Sequence, residues 1–280
     1  MNPREELRHL LANERPLVMP DAYDAMSARL IALAGFKAVQ CSGFSMALAA
    51  RAEPETKLGL ERNVALTRDI VAAVKLPVIA DGEDGYGPPA AIAATVRAFV
   101  AAGVAGINLE DQVLPPSPAK QIVPVEVMVA KLRVARETAA TSGARDLVLN
   151  ARTDALMAGP DRVAGLQTAI ERGNQYLAAG ADLVFVIGVN TPEEARDVTR
   201  GIHGPVSIAA GLPNNLRTLS LASLRACGVA RISLPSVAVF ATVRAVSDVL
   251  GSIQRTGELD DVIARGLLAD LAQAGAICAR

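Results

Sequence analysis

Leu76-Pro77-Val78-Ile79-Ala80-Asp81-Gly82-Glu83-Asp84-Gly85-Tyr86-Gly87 is an apolar run that stops abruptly in three carboxylates interleaved with three glycines. The apolar half has the length and composition of a buried strand. Clustered acids and glycines at a strand's C-terminal end are the usual form of a ligand site in α/β proteins. Carboxylates this close repel one another, so they need a cation, a proton or a well-hydrated loop. A hard divalent ion such as Mg2+, with oxygen ligands and retained waters, meets the first need. A solvated acidic turn meets the last, and the segment alone does not choose.

The chain on either side repeats the pattern. Upstream, Leu17-Val18-Met19 reads as a strand closed by Pro20-Asp21-Ala22-Tyr23-Asp24, and a helix over 25–34 follows. Lys37-Ala38-Val39-Gln40-Cys41 is a second strand with Ser42-Gly43-Phe44-Ser45 at its end; an irregular polar segment, 51–57, then leads to a helix over 61–74. Downstream, helices over 89–102, 125–142, 162–179, 192–200 and 219–227 alternate with strands over 105–109, 147–151, 182–186, 205–209 and 231–234. Helices over 238–256 and 259–274 close the chain, and a Pro-rich loop, 114–124, interrupts the middle. Eight evenly spaced units of this kind predict a (β/α)8 barrel, one domain over 1–280 with 257–280 as a helical extension. An open doubly wound sheet is the alternative, weakened by the lack of a GxGxxG after the first strand.

Totals narrow the function. Of 280 residues 51% are hydrophobic and only 3% aromatic, so the core is built from Ala, Val, Leu and Ile. A net charge of -1 argues against a nucleic-acid surface or a polybasic membrane anchor. The apolar runs fall short of the roughly 20 residues that span a bilayer, and the polar start is wrong for a signal peptide. Cys41, Cys227 and Cys278 show no metal-ligand spacing; they read as reduced, buried thiols of a cytoplasmic protein. Two histidines make a multi-His metal site untenable.

The polar residues share a position. Asp21 and Asp24, Ser42 and Gly43, Asp81 and Glu83, Glu110, and Arg152 each follow the C-terminal end of a different strand. A barrel brings all those ends to one face, where catalytic groups sit. Each residue alone could be a cap or a turn, but five strand ends agree. Acids with one arginine suggest a metal and an anionic substrate gripped by guanidinium.

Five segments carry a resemblance to a known family: Asp21-Ala22-Tyr23-Asp24-Ala25-Met26-Ser27-Ala28, Ser42-Gly43-Phe44, Asp81 to Gly87, Gly106-Ile107-Asn108-Leu109-Glu110-Asp111-Gln112, and Ala151-Arg152-Thr153-Asp154-Ala155. In order and spacing they resemble the isocitrate lyase/phosphoenolpyruvate mutase superfamily over about residues 15–250. The resemblance implies a (β/α)8 barrel that exchanges its C-terminal helix between subunits, giving dimers or tetramers. It implies Mg2+, with Mn2+ as a substitute, bound by Asp81, Glu83 and Glu110. It implies that Ser42, Gly43 and Phe44 bind a substrate carboxylate or phosphonate and that Arg152 pairs with the substrate. Asp24 would assist beside the metal and Tyr23 would line the pocket, so Asp81, Arg152, Asp24 and Tyr23 are the catalytic candidates. The implied chemistry is C–C cleavage of a small 2-oxo or 2-hydroxy (di)carboxylate through a pyruvate-type enolate.

Three departures qualify the resemblance. Glu83 stands where the family's Asp-x-Asp has its second aspartate. The loop that carries the proton-donating Cys of isocitrate and methylisocitrate lyases is replaced by Val113-Leu114-Pro115-Pro116-Ser117-Pro118-Ala119-Lys120. Ile187-Gly188 replaces the glutamate that methylisocitrate lyases carry after the sixth strand. An acid after the second strand would be Glu53 or Glu55. An oxaloacetate decarboxylase-like reaction suits these departures best, because a metal-held enolate needs no dedicated Cys. The alternatives are P–C bond chemistry, as in phosphonopyruvate mutases and hydrolases, and a catalytically silent barrel that binds a carboxylate.

Overall fold

A computed structural model describes residues 1–52, 58–113, 120–212 and 215–278. Helix α1 (Pro3–Asn13) precedes β1 (Leu17–Ala22), α2 (Ala25–Leu33), β2 (Val39–Cys41), α3 (Gly43–Ala49), α4 (Leu60–Ala73) and β3 (Val78–Asp81). Next come α5 (Ile92–Ala101), β4 (Gly106–Glu110), α6 (Val125–Thr141), β5 (Val148–Thr153), α7 (Arg162–Ala178) and β6 (Leu183–Val186). The chain ends with α8 (Pro192–Gly201), β7 (Val206–Ala209), α9 (Leu221–Ala226), β8 (Arg231–Leu234), α10 (Val237–Thr256), α11 (Asp260–Ala264) and α12 (Leu271–Cys278).

The strands pair in parallel in chain order, and β8 closes on β1, so the sheet is the closed eight-stranded barrel the spacing predicts. Every strand is where the apolar runs placed it, within a few residues. Outward residues such as Ile107, Leu109 and Leu149 pack against the helices with Val96, Phe99, Met128 and Leu132. Inward, the floor is apolar: Leu17, Met19, Ala38, Ile79, Val148 and Leu183 pack with Leu7 of α1, which plugs the N-terminal end. Removing these side chains from water at roughly 25 cal/mol per Å² is what holds the cylinder closed.

Four local features differ from expectation. Gly43–Ala49 forms a helix where none was predicted: Ser42 Oγ accepts from Ser45 N at 3.2 Å, and Met46 and Ala47 are buried. The last predicted helix is broken after α11, where Gly266 takes φ 61°, and Asp270 Oδ1 then accepts from Gln273 N at 2.7 Å. Cys41 and Cys227 are buried, but Cys278 is exposed. Finally, α10 reaches 20 residues with a mean hydropathy of 1.3, long and apolar enough by those measures alone to cross a membrane. Its start is tied to the barrel: Val239 is buried with Ala22 and Tyr23, Tyr23 Oη lies 2.9 Å from Thr242 Oγ1, and the Phe44 and Phe240 rings meet edge to face at 6.2 Å. Glu53 and Glu55 lie outside the described residues.

Candidate metal and substrate site

The quoted strand delivers Asp81 to the barrel mouth, and the turn after it brings a second acid back to the first. Glu83 adopts φ 51°, a left-handed conformation unusual for a side chain of its size, and is buried. Its N–H lies 3.4 Å from Asp81 Oδ1. β4 adds Glu110, hydrogen-bonded through its backbone N to Glu83 O at 2.9 Å. One carboxylate oxygen from each of Asp81, Glu83 and Glu110 then lies within 4.8 Å of the others. The three predicted ligands are together.

Gly43 makes that approach possible. Its N–H donates to Asp81 Oδ2 at 2.8 Å. A Cβ here would run into Glu83 Oε1 and sit 3.2 Å from Asp81 Oδ2, so only glycine leaves the cluster its space. Behind the cluster, Asn63 Nδ2 donates to Asp81 O at 3.0 Å and to Tyr86 Oη at 2.7 Å, fixing the turn from below.

Electrostatics explain why this arrangement asks for a cation. Burial pushes the Glu110 carboxyl up to about 8; Arg152 opposes the rise, while Asp154 and Asp81 add to it. Burial likewise raises Asp81, against the Gly43 N–H and Arg152. A divalent ion with oxygen preference would supply the missing positive charge, and three carboxylates in reach of one point are the donor set it takes.

Arg152 stands on the adjacent side. Its Nη1 lies 2.7 Å from Glu110 Oε2, while Nε and Nη2 grip Asp154 at 2.8 and 2.9 Å. Burial works against the guanidinium charge, but Asp154 and Glu110 outweigh it and hold the group above its ordinary value. Asp154 is itself held from behind: its N–H donates to Asp111 Oδ1 at 2.9 Å. Asp111 also accepts from Thr153, Tyr176 and Arg172 at 2.8, 2.7 and 3.1 Å. That network aims Arg152 at the acids.

Other expected residues are differently employed. Asp24 caps α2, its Oδ1 accepting from Ser27 N at 2.7 Å, and the Tyr23 hydroxyl meets Thr242. Among the described residues neither hydrogen-bonds to the acids. Ser42 caps α3, and Phe44 is half exposed against Phe240. Of the substrate-binding trio, Gly43 hydrogen-bonds to the cluster.

Sequence reasoning missed several participants. Gln112 and Lys120 contact Arg152 or its partner Asp154. On the far side Arg231 is fully buried, bonded to Ser207 Oγ at 2.7 Å, to Met19 Sδ at 3.1 Å and to Gln40 Oε1, above the Phe185 ring. Asp21, which the strand-end pattern did include, faces inward as well and accepts from Ser233 Oγ at 3.0 Å. The signal was present: an arginine opening an apolar strand is expensive to bury unless its charge has partners.

On that side, among the described residues, Phe185, Ile187 and Ala209 pack together and are joined by Leu212. Charge and hydrophobe thus divide the rim.

Known proteins resemble this chain in sequence and fold. A 2,3-dimethylmalate lyase from Eubacterium barkeri is 34% identical over 89% of this chain and 85% of its own. The structure of an oxaloacetate acetylhydrolase bound to the inhibitor 3,3-difluorooxalacetate superposes with a TM-score of 0.84 at 26% identity, covering 92% of this chain and 89% of the other. A phosphonopyruvate hydrolase in complex with oxalate and Mg2+ gives a TM-score of 0.86 at 27% identity over 99% and 95% of the two chains. Residues 7–254 match the phosphoenolpyruvate phosphomutase family, and with that span and those relatives the chain belongs to it, within the isocitrate lyase/PEP mutase superfamily.

Proposed function

We propose that this protein is a Mg2+-dependent carbon–carbon lyase acting on a small 2-oxo or 2-hydroxy (di)carboxylate. The observation that carries the reading is the meeting of Asp81, Glu83 and Glu110 beside Arg152 at the barrel mouth. The lyase and acetylhydrolase relatives support it. Asp81, Glu83 and Glu110 would hold the ion, Mg2+ or Mn2+, directly or through its waters. The ion supplies Lewis-acid charge where negative charge grows on a 2-oxo or 2-hydroxy acid. Gly43 keeps Asp81 oriented, and Arg152 binds the substrate's anionic group. Asp111 and Asp154 keep that guanidinium in place. Ser42 and Phe44 frame the entrance through the α3 turn. Asp24 and Tyr23 serve this reading through α2 and α10 rather than at the reacting atoms.

The same reading takes 1–280 as one barrel domain with 257–280 as a helical extension. It also takes the chain as a homo-oligomer that exchanges its C-terminal helix. Exposed Val243, Val246 and Leu250 on α10 support the exchange. Free cysteines support a cytoplasmic enzyme.

P–C bond chemistry is the second reading, favoured by the overlap with the phosphonopyruvate hydrolase along nearly the whole chain. Pyruvate release decides between them, measured on oxaloacetate, 2-methylmalate, 2,3-dimethylmalate, methylisocitrate and phosphonopyruvate. Each substrate is run with Mg2+ and with a chelator, against Asp81→Ala, because free metal decarboxylates oxaloacetate. Turnover of a carbon substrate above that background is the expected result. Turnover of phosphonopyruvate alone selects the second reading, and no pyruvate from any of them leaves a silent binder or a substrate outside the panel.

A further inference from the structure

Arg152 does not act on its surroundings alone. Gln112 Oε1 accepts from Arg152 Nη2 at 3.2 Å and from Lys120 Nζ at 3.2 Å. Lys120 also lies 3.4 Å from Asp154 Oδ1, the acid that Arg152 grips. Two cations therefore share one amide oxygen and one carboxylate. Both are pure donors, so the Gln112 oxygen must face them. Its Nε2 is then a donor too, buried and, among the described residues, without a hydrogen-bond partner. A buried N–H of this kind calls for an acceptor.

We propose that Lys120 and Gln112 Nε2 extend Arg152 into a three-donor seat for the substrate's second carboxylate, the one carried by the departing fragment. The proposal rests on the lyase reading above and deepens it. Arg and Lys beside an amide N–H are the donors that bind carboxylate strongly. Across the mouth, among the described residues, the apolar cluster of Phe185, Ile187, Ala209 and Leu212 carries no side-chain donor for a carboxylate.

The seat selects a reaction. When the C2–C3 bond of a 2-hydroxy dicarboxylate breaks, the hydroxyl proton passes to solvent and C2–O becomes a carbonyl. The C2–C3 electron pair moves onto C3 and into its carboxylate as an enediolate, and C3 then takes a proton from water. The carboxylate in the seat goes from one negative charge toward two, so cations there hold the transition state more strongly than the substrate. If that carboxylate left as CO2 its charge would fall to zero, and the same cations would oppose the step. Malate-type cleavage is therefore favoured over the decarboxylation that the loop sequence suggested.

The test compares wild type, Lys120→Met, Lys120→Arg and Gln112→Leu, all with Mg2+. Turnover is measured on 2,3-dimethylmalate, 2-methylmalate and oxaloacetate. Calorimetry measures binding of 2-methylmalate and of oxalate, which is too short to reach the seat and also reports a folded metal site. Lys120→Met should lower kcat/KM on the malates by about 100-fold and weaken 2-methylmalate by about 10-fold, with oxalate changed by less than about threefold. Lys120→Arg should recover most of the loss, and Gln112→Leu should give a smaller one. Unchanged malate turnover and binding in Lys120→Met, or an equal loss of oxalate, would overturn the seat. Wild-type oxaloacetate decarboxylation outpacing both malates would overturn its reaction choice. If wild type turns over none of the three while Lys120→Met still weakens 2-methylmalate and spares oxalate, the lyase reading falls and the seat stands.

Discussion

Inside one barrel, β3, β4 and β5 present Asp81, Asn108, Glu110, Asn150 and Arg152, whereas β6, β7 and β8 present Phe185, Ser207, Ala209, Arg231 and Ser233. Each half holds one arginine, Arg231 fully buried and Arg152 partly so. Arg152 is surrounded by acids, and they raise its affinity for a proton. Among the described residues Arg231 meets neutral partners within bonding distance, and burial lowers it to about 10 despite Asp21 and Asp81 nearby. The difference separates two uses of the same side chain. A guanidinium among acids can exchange one of them for a ligand. A guanidinium fixed by a hydroxyl, an amide and a sulfur ties strands together.

Asp81→Ala should have the largest effect, removing Mg2+-dependent turnover by at least about 10³-fold over the chelator background. Retained turnover would mean that the charged half is not the site. The two arginines then differ in kind. Arg152→Met should cost about 100-fold in kcat/KM. Arg231→Met should cost about 2–4 kcal/mol of unfolding free energy in denaturant, by orphaning Ser207 and Gln40 and emptying packed space. Its metal affinity, by calorimetry, should stay near that of wild type. The reverse pattern would erase the distinction between the halves. Gly43→Ala comes next: the added methyl pushes Glu83 out of the cluster, and Mg2+ should bind about 10-fold more weakly while thermal unfolding moves little.

The barrel was legible because each strand is a short apolar run with a sharp polar end, a local signal that survives without tertiary context. The acids were legible for the same reason, since strand ends converge in this architecture. Roles within the rim were not. Asp24 and Asp21 lie three residues apart, yet one caps a helix and the other faces the interior, and that depends on where α2 begins. Lys120 follows a Pro-rich stretch and its partners are Gln112 and Asp154, so nothing local marks it. Arg231 was visible as an oddity in an apolar strand, but its partners come from β1, β2 and β7.

Acidity offers a gentler test of the same division. Glu110 and Asp21 have ordinary values of 4.5 and 3.8, and both are pushed up to about 8 by burial. Arg152, Asp154, Asp81 and Lys120 face Glu110. Between those values and about 8 the folded protein holds protons that the unfolded chain has released. This contribution to stability is full below the ordinary values and is lost as pH rises through about 8. Metal-free melting temperature should therefore fall from about pH 5 to 8. Mg2+ keeps Glu110 ionised and should flatten its share, so the gap between melting with Mg2+ and with chelator widens over that range. Asp21→Asn removes the other share and should leave the gap intact. A gap independent of pH would take Glu110 out of the metal's reach.

Tyr23 should give the smallest effect, and it lies outside both halves of the rim. Its hydroxyl bonds Thr242 on α10 at 2.9 Å, a link between the end of β1 and the first turns of that helix. Tyr23→Phe deletes one hydrogen bond and keeps the ring, so about 0.5–1.5 kcal/mol of stability should go while kcat and KM stay as they are. Chemical denaturation and steady-state kinetics on the same preparation separate the two quantities. Lost turnover with stability intact would return Tyr23 to the reacting atoms, as its motif suggested, and would extend the charged side of the mouth to β1.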